Sequence, residues 1–327
     1  MGFDPDSLRM SGTNGWLGML VAEDAGGAGL GATELALVMQ EAGRALAPEP
    51  IAEVALAGLI ISGAPAAARN PLLQQVMSGE LVVIPAFQEP SAGLDLADTM
   101  MSAMPRDGEW RLSGRKSFVS CASACDGFLV SARGGDGLLV CFVDQKAQGL
   151  TIRSVATVDG RNYGELTFDD VTAKSVMRRA GDAAAILRRY LGLMLVVTSA
   201  EILGVMEGVN DMTLEYLKTR KQFGRAIGSF QALQHRAVDN YVLIESTRSL
   251  LHQVCGGGEP VPEALASALK AAASSAALTV TKSAVQLHGA IGFTDEYDAG
   301  LFLKRAMWLS SYFGNEAVHR RRYANLS

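Results

Sequence analysis

The sequence predicts an α+β chain: an N-terminal helical segment, then a small β-barrel or sandwich, then an antiparallel helix bundle. Three observations predict it. Apolar residues recur at helical spacing before residue 80, short β-like runs punctuated by glycines fill roughly 81–178, and long helical stripes return from about 183. The corresponding domains are 1–80, 81–178 and 179–327, and a length of 327 residues at ~150 per domain leaves room for two or three.

The elements follow in order. Leu35, Val38, Met39, Ala42 and Leu46 form one helical stripe over 33–46, with Thr33 placed to cap it and Pro48 and Pro50 to end it. Shorter helical patterns occupy 53–63 and 71–78. The texture then changes. Leu81–Ile84, Trp110–Leu112, Phe128–Val130 and Leu138–Val143 are short β-like runs, with Gly108, Gly114, Gly127, Gly134 and Gly135 between or beside them. In the last segment Ile202, Val205, Met206, Val209, Met212, Thr213 and Tyr216 make one stripe, and Leu233, Ala237, Tyr241, Ile244 and Leu251 another. An Ala-rich helix covers 263–283, and Cys255–Pro260 is a loop between long helices.

Composition excludes several classes. Apolar residues make up 49% of the chain, enough for a large core, which rules out wholesale disorder. Lys plus Arg is 29 against 34 Asp plus Glu, net −5, so the surplus of basic charge needed to neutralise nucleic-acid phosphates is missing. Four cysteines are too few for a disulfide framework, and Cys121 and Cys125 read as small buried thiols. The start has no basic n-region or apolar h-region, and the longest apolar run, Leu191–Val197, falls short of the ~20 residues that span a bilayer. A cytoplasmic, reduced protein with no membrane or nucleic-acid partner is expected.

Three segments carry candidate chemistry. Gly27-Ala28-Gly29-Leu30-Gly31-Ala32 fits G-x-G-x-x-A between an apolar run and a helix, the local context of a dinucleotide fingerprint. Against it, Glu23 and Asp24 bring negative charge to the same place and no βαβαβ alternation follows. A nicotinamide oxidoreductase built on this segment is one alternative function. Arg220-Lys221-Gln222-Phe223-Gly224-Arg225, followed by Phe230–Arg236, joins two long helices and reads equally as a solvated turn or as an anion site with guanidinium forks. Gln286-Leu287-His288-Gly289-Ala290 ends the Ala-rich helix, where small residues let a ligand approach the backbone. His319–Arg322 reads as a solvated helix end or a further phosphate contact. No Cys, Asp or Glu completes a metal set around His235 or His288, so no metal site is read.

Taken together, Arg220–His235 (R-K-Q-F-G-x-x-I-G-x-F-Q-A-L-Q-H) and Gln286–Tyr297 (Q-x-H-G-x-x-G-F-T-D-E-Y) resemble the acyl-CoA dehydrogenase flavoprotein family. Glu89–Asp95 and Gly114–Ser120 are similar to its T-E-P-x-A-G-S-D and G-x-K-x-W/F-I/V-T/S segments, and the resemblance spans about residues 15–325. It implies a barrel followed by a helix bundle, FAD bound between them and partly across a subunit boundary, an acyl-CoA substrate and an electron-transfer acceptor. Phe118, Val119 and Ser120 would line the isoalloxazine. Arg220, Gln222 and Phe223 would hold the pyrophosphate and adenosine of a neighbouring subunit's flavin, with Phe230 and Gln231 beside it. Gln286, Gly289 and Ala290 would approach its phosphates and ribose. Gln88 and Leu94 depart from the pattern where it has Thr and Ser, and the start lacks roughly forty residues of N-terminal helix that family members carry.

The family reaction removes the α-proton of a thioester with a Glu while hydride leaves the β-carbon for flavin N5. The position 27 past Gln286 is Phe313, and the alternative position 26 before Arg220 is Met194. Neither accepts a proton, so the catalytic residue is unknown. Glu201, Glu207 and Asp211 lie further along the second helix, Glu201 some ~10 Å of rise from 194. The expected function is therefore FAD-dependent acyl-CoA dehydrogenation by a base-deficient subunit of a heteromeric enzyme, with a homologous subunit as partner. A self-sufficient or homo-oligomeric enzyme with its base relocated to Glu201 or Glu207 is the alternative.

Overall fold

A computed structural model describes residues 2–64, 66–90, 93–106, 108–135, 137–177, 180–258 and 260–326, the side chains of 66–71, 175–177 and 180–182 excepted. The chain divides into two compact units, Met1–Leu35 with Pro48–Leu191, and Ala36–Ala47 with Gly192–Ser327.

In the first unit, helix α1 (Pro5–Thr13) starts at Asp4, whose carboxylate accepts from the Asp6 N–H and caps the first turn. Short 3₁₀ turns at Trp16–Gly18 and Glu23–Ala25 follow. Helix α2 (Ala32–Arg44) begins one residue before the expected start, because the Gly31 N–H donates to the Glu34 carboxylate and closes the first turn. Thr33 therefore lies inside the helix and is not its cap. Helix α3 (Ile51–Ser62) is buried on every face from Ile51 to Ile61, which its uniformly apolar sequence requires. It packs on α4 (Ala66–Ser78), which starts earlier than the expected 71, and on strand β1 (Val83–Ala86).

The β segment consists of β1, β2 (Ser102–Arg106), β3 (Glu109–Ser120), β4 (Gly127–Gly134), β5 (Gly137–Asp144), β6 (Leu150–Ala156) and β7 (Asn162–Met177). Pairing runs β4-β2-β3-β7-β5 and returns from β5 to β4, so five strands close into a barrel; β1 adds to β4 in parallel and β6 to β7. This decides between barrel and sandwich. Two bulges bend the long β3–β7 pair: one extra residue on β7 between the Leu112 and Gly114 partners, one on β3 between Lys116 and Val119. The residues standing in the left-handed region at these bulges are Asp170 (φ 52°) and Phe118 (φ 53°). Strands β2, β6 and β7 lacked a clear sequence signal: β6 alternates intermediate and exposed residues and carries few large apolar ones.

In the second unit, α5 (Ala180–Thr219, its first turns in the first unit), α6 (Gln231–Gly256), α7 (Glu263–His288), α8 (Ala299–Ser311) and α9 (Glu316–Leu326) carry the helical pattern. The longest-run test for membrane spans is corrected here. Two helices, Ala183–Thr219 and Glu263–Phe293, are long and apolar enough by length and composition, but 94% and 61% of their apolar windows are buried inside the protein. Glycines let α5 meet α2 backbone to backbone. A Cβ on Gly204 would stand 1.8 Å from the Gln40 carbonyl oxygen, and one on Gly43 2.1 Å from that of Glu201. The stripe expected on α6 is buried only at Ile244 and Leu251; Tyr241, with Val238 and Val242, is more than half exposed.

The α2–α5 contact gives the first prediction. Gly204→Ala forces these backbones apart and lowers unfolding free energy by about 1–3 kcal/mol, read by urea denaturation, whereas Gly256→Ala, whose Cβ meets nothing, changes it far less.

Candidate functional site

On the barrel, the β3 bulge re-aims one side chain. Ser117 N–H donates to the Gln88 carbonyl at 2.9 Å, so the Glu89 segment is tied to the bulge, and Phe118 is projected half-exposed while Val119 and Ser120 turn inward and are buried. Gly164 on β7 permits this, since a Cβ there would sit 2.4 Å from the Ala122 Cβ. The Ser117 hydroxyl is buried and has no hydrogen-bond partner among the described residues. Beneath the bulge Lys116 is fully buried: Nζ donates to Glu89 (2.7 Å), Ser131 Oγ (3.0 Å) and Thr99 Oγ1 (3.1 Å). Glu89 also accepts from Thr99 Oγ1 and the amides of Met100 and Met101. Burial pushes the Lys116 ammonium down to about 8 against the pull of Glu89. Burial also raises the Glu89 carboxyl, but the Lys116 charge and the donated hydrogen bonds outweigh it and hold the group below its ordinary value. Ser91 and Ala92 of this motif lie outside the described residues. Cys121 and Cys125 are buried, as expected, and burial pushes the Cys125 thiol up to about 12.

On the helical unit, Arg220 follows α5 directly and opens a hairpin, β8 (Lys221–Gln222) with β9 (Arg225–Ala226). Its two-residue turn has both central φ angles positive, Phe223 at 52° and Gly224 at 77°. Phe223 is 90% exposed, its ring edge-on to Phe230 at 6.1 Å, and the Arg225 guanidinium lies 4.1 Å over the Phe230 ring. Among the described residues Arg220 has no ion-pair partner. Gln231 opens α6, whose first turn has no side-chain cap. At the end of α7, Gln286 is exposed, Gly289 turns the chain at φ 66° and Ala290 is exposed. Tyr216, one turn before Arg220, lies 4.6 Å from the His288 ring, which lies 4.7 Å from Tyr297. These stacks bring the hairpin motif and the Gln286 motif to one end of the helices. His288 Nδ1 donates to the Ala284 carbonyl, and burial lowers its basicity, so the ring is neutral.

The two positions at which the family resemblance leads one to look for a base are apolar in place as well as in sequence. Met194 is buried in α5, and Phe313 is buried with its ring on Tyr312 at 4.6 Å. The candidate relocated bases are held elsewhere. Glu201 accepts from Arg305 Nε (2.8 Å) and another guanidinium nitrogen (2.7 Å) with both residues buried. Glu207 accepts from Gln40 and Arg248, and Asp211 pairs with Arg44. Two buried residues without an assigned role hold the 313 turn. Lys270 of α7 donates to Ser274 Oγ and to the carbonyls of Leu309, Ser310 and Gly314 at 2.9–3.4 Å, and His319 Nε2 donates to that of Phe313 at 2.8 Å. The signal for Lys270 was present: a lone cation at the core spacing of Ala266, Leu269 and Ala273. His319–Arg322 is solvated only in part: His319 is buried and Arg322 ties to Glu263 and Ser267, whereas Arg320 and Arg321 are exposed, Arg320 in a surface pair with Glu316. The Gly27–Ala32 loop is not a dinucleotide fingerprint: no strand precedes it, and its amides at 27, 28 and 29 are spent on the carbonyls of Ala22, Gly18 and Val21.

The chain thus carries a barrel between two helical stretches of sequence, with a cationic hairpin and an aromatic-walled helix end in the helical unit. The acyl-CoA dehydrogenase N-terminal, middle and C-terminal domain patterns match residues 1–80, 86–171 and 184–326, so the chain belongs to the acyl-CoA dehydrogenase family. It is 32% identical over 292 residues to the acyl-CoA dehydrogenase IpdE2 of Mycobacterium tuberculosis, covering 88% of this chain and 76% of that one. Among solved structures, a variant of the Tcur3481-Tcur3483 steroid ACAD superposes with a TM-score of 0.89 at 33% identity, covering 99% and 88% of the two chains. The ChsE4-ChsE5 complex from Mycobacterium tuberculosis gives 0.88 at 26%, with the same coverage. The family is FAD-dependent. Taken unit by unit, the residues present suit that cofactor: on the helical unit the Arg220 guanidinium, without an ion-pair partner among the described residues, suits a diphosphate and the exposed Phe223 offers a ring face, and on the barrel the half-exposed Phe118 offers another.

Two outcomes follow. Lys116→Met leaves the Glu89 carboxylate buried without its cation and costs about 3–5 kcal/mol in denaturant unfolding, while adding Glu89→Met restores much of the loss. Burial alone lowers the Lys270 ammonium to about 7 from 10.5. The folded state resists a proton the unfolded chain keeps, so this group's penalty is absent above pH 10.5, grows as pH falls and is complete below about 7. Stability of the native chain minus that of Lys270→Met should therefore rise from pH 6.5 to 10 by about 4 kcal/mol, and a flat difference would contradict this protonation behaviour.

Proposed function

We propose that this chain is the base-deficient subunit of a heteromeric FAD-dependent acyl-CoA dehydrogenase that desaturates a thioester between Cα and Cβ. The observation that carries the reading is the pairing of Phe313 and Met194 as buried apolar groups with a guanidinium on each of Glu201, Glu207 and Asp211. A carboxylate that must take an α-proton has to reach the substrate unpaired, and the carboxylates on this stretch of α5 are committed to structure. FAD, when bound, supplies the two-electron acceptor for the hydride.

The chain's own contribution is binding and orientation. Arg220 and Gln222 would meet the diphosphate, Phe223 and Phe230 the adenosine, and Gln231 would add a donor beside them. Gln286, Gly289 and Ala290 would let a ribose phosphate approach backbone, and Phe118, Val119 and Ser120 would wall the isoalloxazine. A homologous subunit supplies the base. The exposed Val238, Tyr241 and Val242 on α6 support association, as does the similarity to a solved two-component complex. The likeness to a steroid ACAD favours a bulky acyl group on the CoA.

The test is purification of the chain alone and with a co-expressed homologous subunit, measuring FAD per chain and flavin bleaching by acyl-CoA. Bleaching only in the mixed assembly, lost on Arg220→Ala, is expected. Full flavin content and bleaching by the lone chain overturn the reading.

A further inference from the structure

We infer that Lys270 and His319 are positioning residues that hold the backbone at 313 in one fixed conformation, whatever side chain stands there, so that this turn is built as a seat for a proton-abstracting group although a phenylalanine occupies it. The inference rests on the reading that 313 is the base position.

The turn after α8 would not hold itself. Phe313 has φ 54°, a left-handed conformation that costs a residue with a Cβ, and Gly314 follows at 98°. The last carbonyls of α8 have no helical partners of their own. Three oxygens, those of Leu309, Ser310 and Gly314, converge on the Lys270 ammonium, and the oxygen between the last two, that of Phe313, receives the His319 Nε2 proton. Both side chains are fully buried, and they come from different helices, α7 and α9. Ser274 Oγ, one turn along α7, accepts from Lys270 at 3.0 Å and fixes the amine. Asn315 Oδ1 accepts from the Val318 N–H and starts α9, so the turn is held from its far side too. None of these bonds involves the side chain of residue 313. A turn held only by the packing of the Phe ring would need no buried ammonium, and an ammonium is a costly way to fill an apolar core. Its presence here, on three backbone carbonyls, points to a demand on backbone position.

The test reads local order and competence separately, on the full chain. Amide hydrogen exchange is followed at 309–315 and, as reference, in the buried part of α5 around 195–205. Lys270→Met and His319→Leu should each raise exchange in 309–315 at least tenfold relative to the reference. His319→Gln, which keeps a donor, should restore protection. Equal exchange in both regions, or no rescue by Gln, overturns the assignment and leaves only a general packing role.

Competence is read in Phe313→Glu, assembled as in the co-expression above with the partner's own base removed, by flavin bleaching with butyryl-, octanoyl- and isovaleryl-CoA. Bleaching that falls at least tenfold when Lys270→Met is added, at unchanged FAD content, supports the seat; bleaching unaffected by Lys270→Met, or none at all, overturns it. If instead the native lone chain already bleaches, the base-deficient reading fails, and the exchange result alone then decides whether the two residues hold the turn.

Discussion

A charge taken out of water has to be given back its hydrogen bonds, and this chain meets that demand at three places that set the geometry of everything around them. Inside the barrel, Lys116 and Glu89 satisfy one another and also draw in Thr99, Ser131 and two backbone amides. Because Glu89 belongs to the segment before the β2 hairpin and Lys116 to the strand that bulges two residues later, the pair fixes where Phe118 emerges. In the helical unit, Arg305 and Glu201 cross-link α8 to α5. Lys270 has no carboxylate partner among the described residues and relies on carbonyl dipoles, and burial lowers its basicity furthest among the lysines with a resolved change. Each arrangement is expensive to build and rigid once built, which suits positions that must not drift.

The order helix, β, helix was legible because periodicity is a local property. The stripes on α2, α5 and α7 and the runs that became β3, β4 and β5 each announced themselves within about ten residues. What escaped was decided by partners far off in sequence. Strand β6 is mostly solvated and is a strand only because the first half of β7 offers it an edge. The register shifts in β3 leave no signature in composition, since the residue at the second bulge is a phenylalanine and not a glycine. The N-terminal half of α6 misled in the other direction. Its apolar stripe is real, yet Tyr241 stands exposed, so the pattern encodes a surface this chain does not cover by itself.

The candidate site was legible in its motifs and not in its support. Arg220, Phe223 and Gln286 could be named from spacing, and the structure gives them physical roles: a tight hairpin turn with two positive φ angles, an exposed ring, a helix end opened by Gly289. The glycine motif at 27–32 had the right letters in the wrong surroundings. Its conformational freedom serves close packing, since a Cβ on Gly27 would stand 2.1 Å from the Val21 carbonyl oxygen. The basic run His319–Arg322 looked like surface because four polar residues in a row usually are; the helix turns 100° per residue and sends His319 inward while Arg320 stays out. A lone buried lysine in an Ala-rich helix is the signal that was open to reading and carried most.

What a carboxylate at 313 would require follows from its surroundings. Residue 313 is 3% exposed and its neighbour Tyr312 is an aromatic ring in contact, so an ionised Glu there would be desolvated and would need a compensating partner. A hydrocarbon ring needs none, and packs on Tyr312 with a gain. A phenylalanine at this position therefore avoids a local cost. The buried Lys270 ties down the surrounding carbonyls by bonds that do not involve the side chain at 313. The backbone of the turn is thus fixed by groups on α7 and α9, and its conformation is independent of whether residue 313 is a hydrocarbon or an acid.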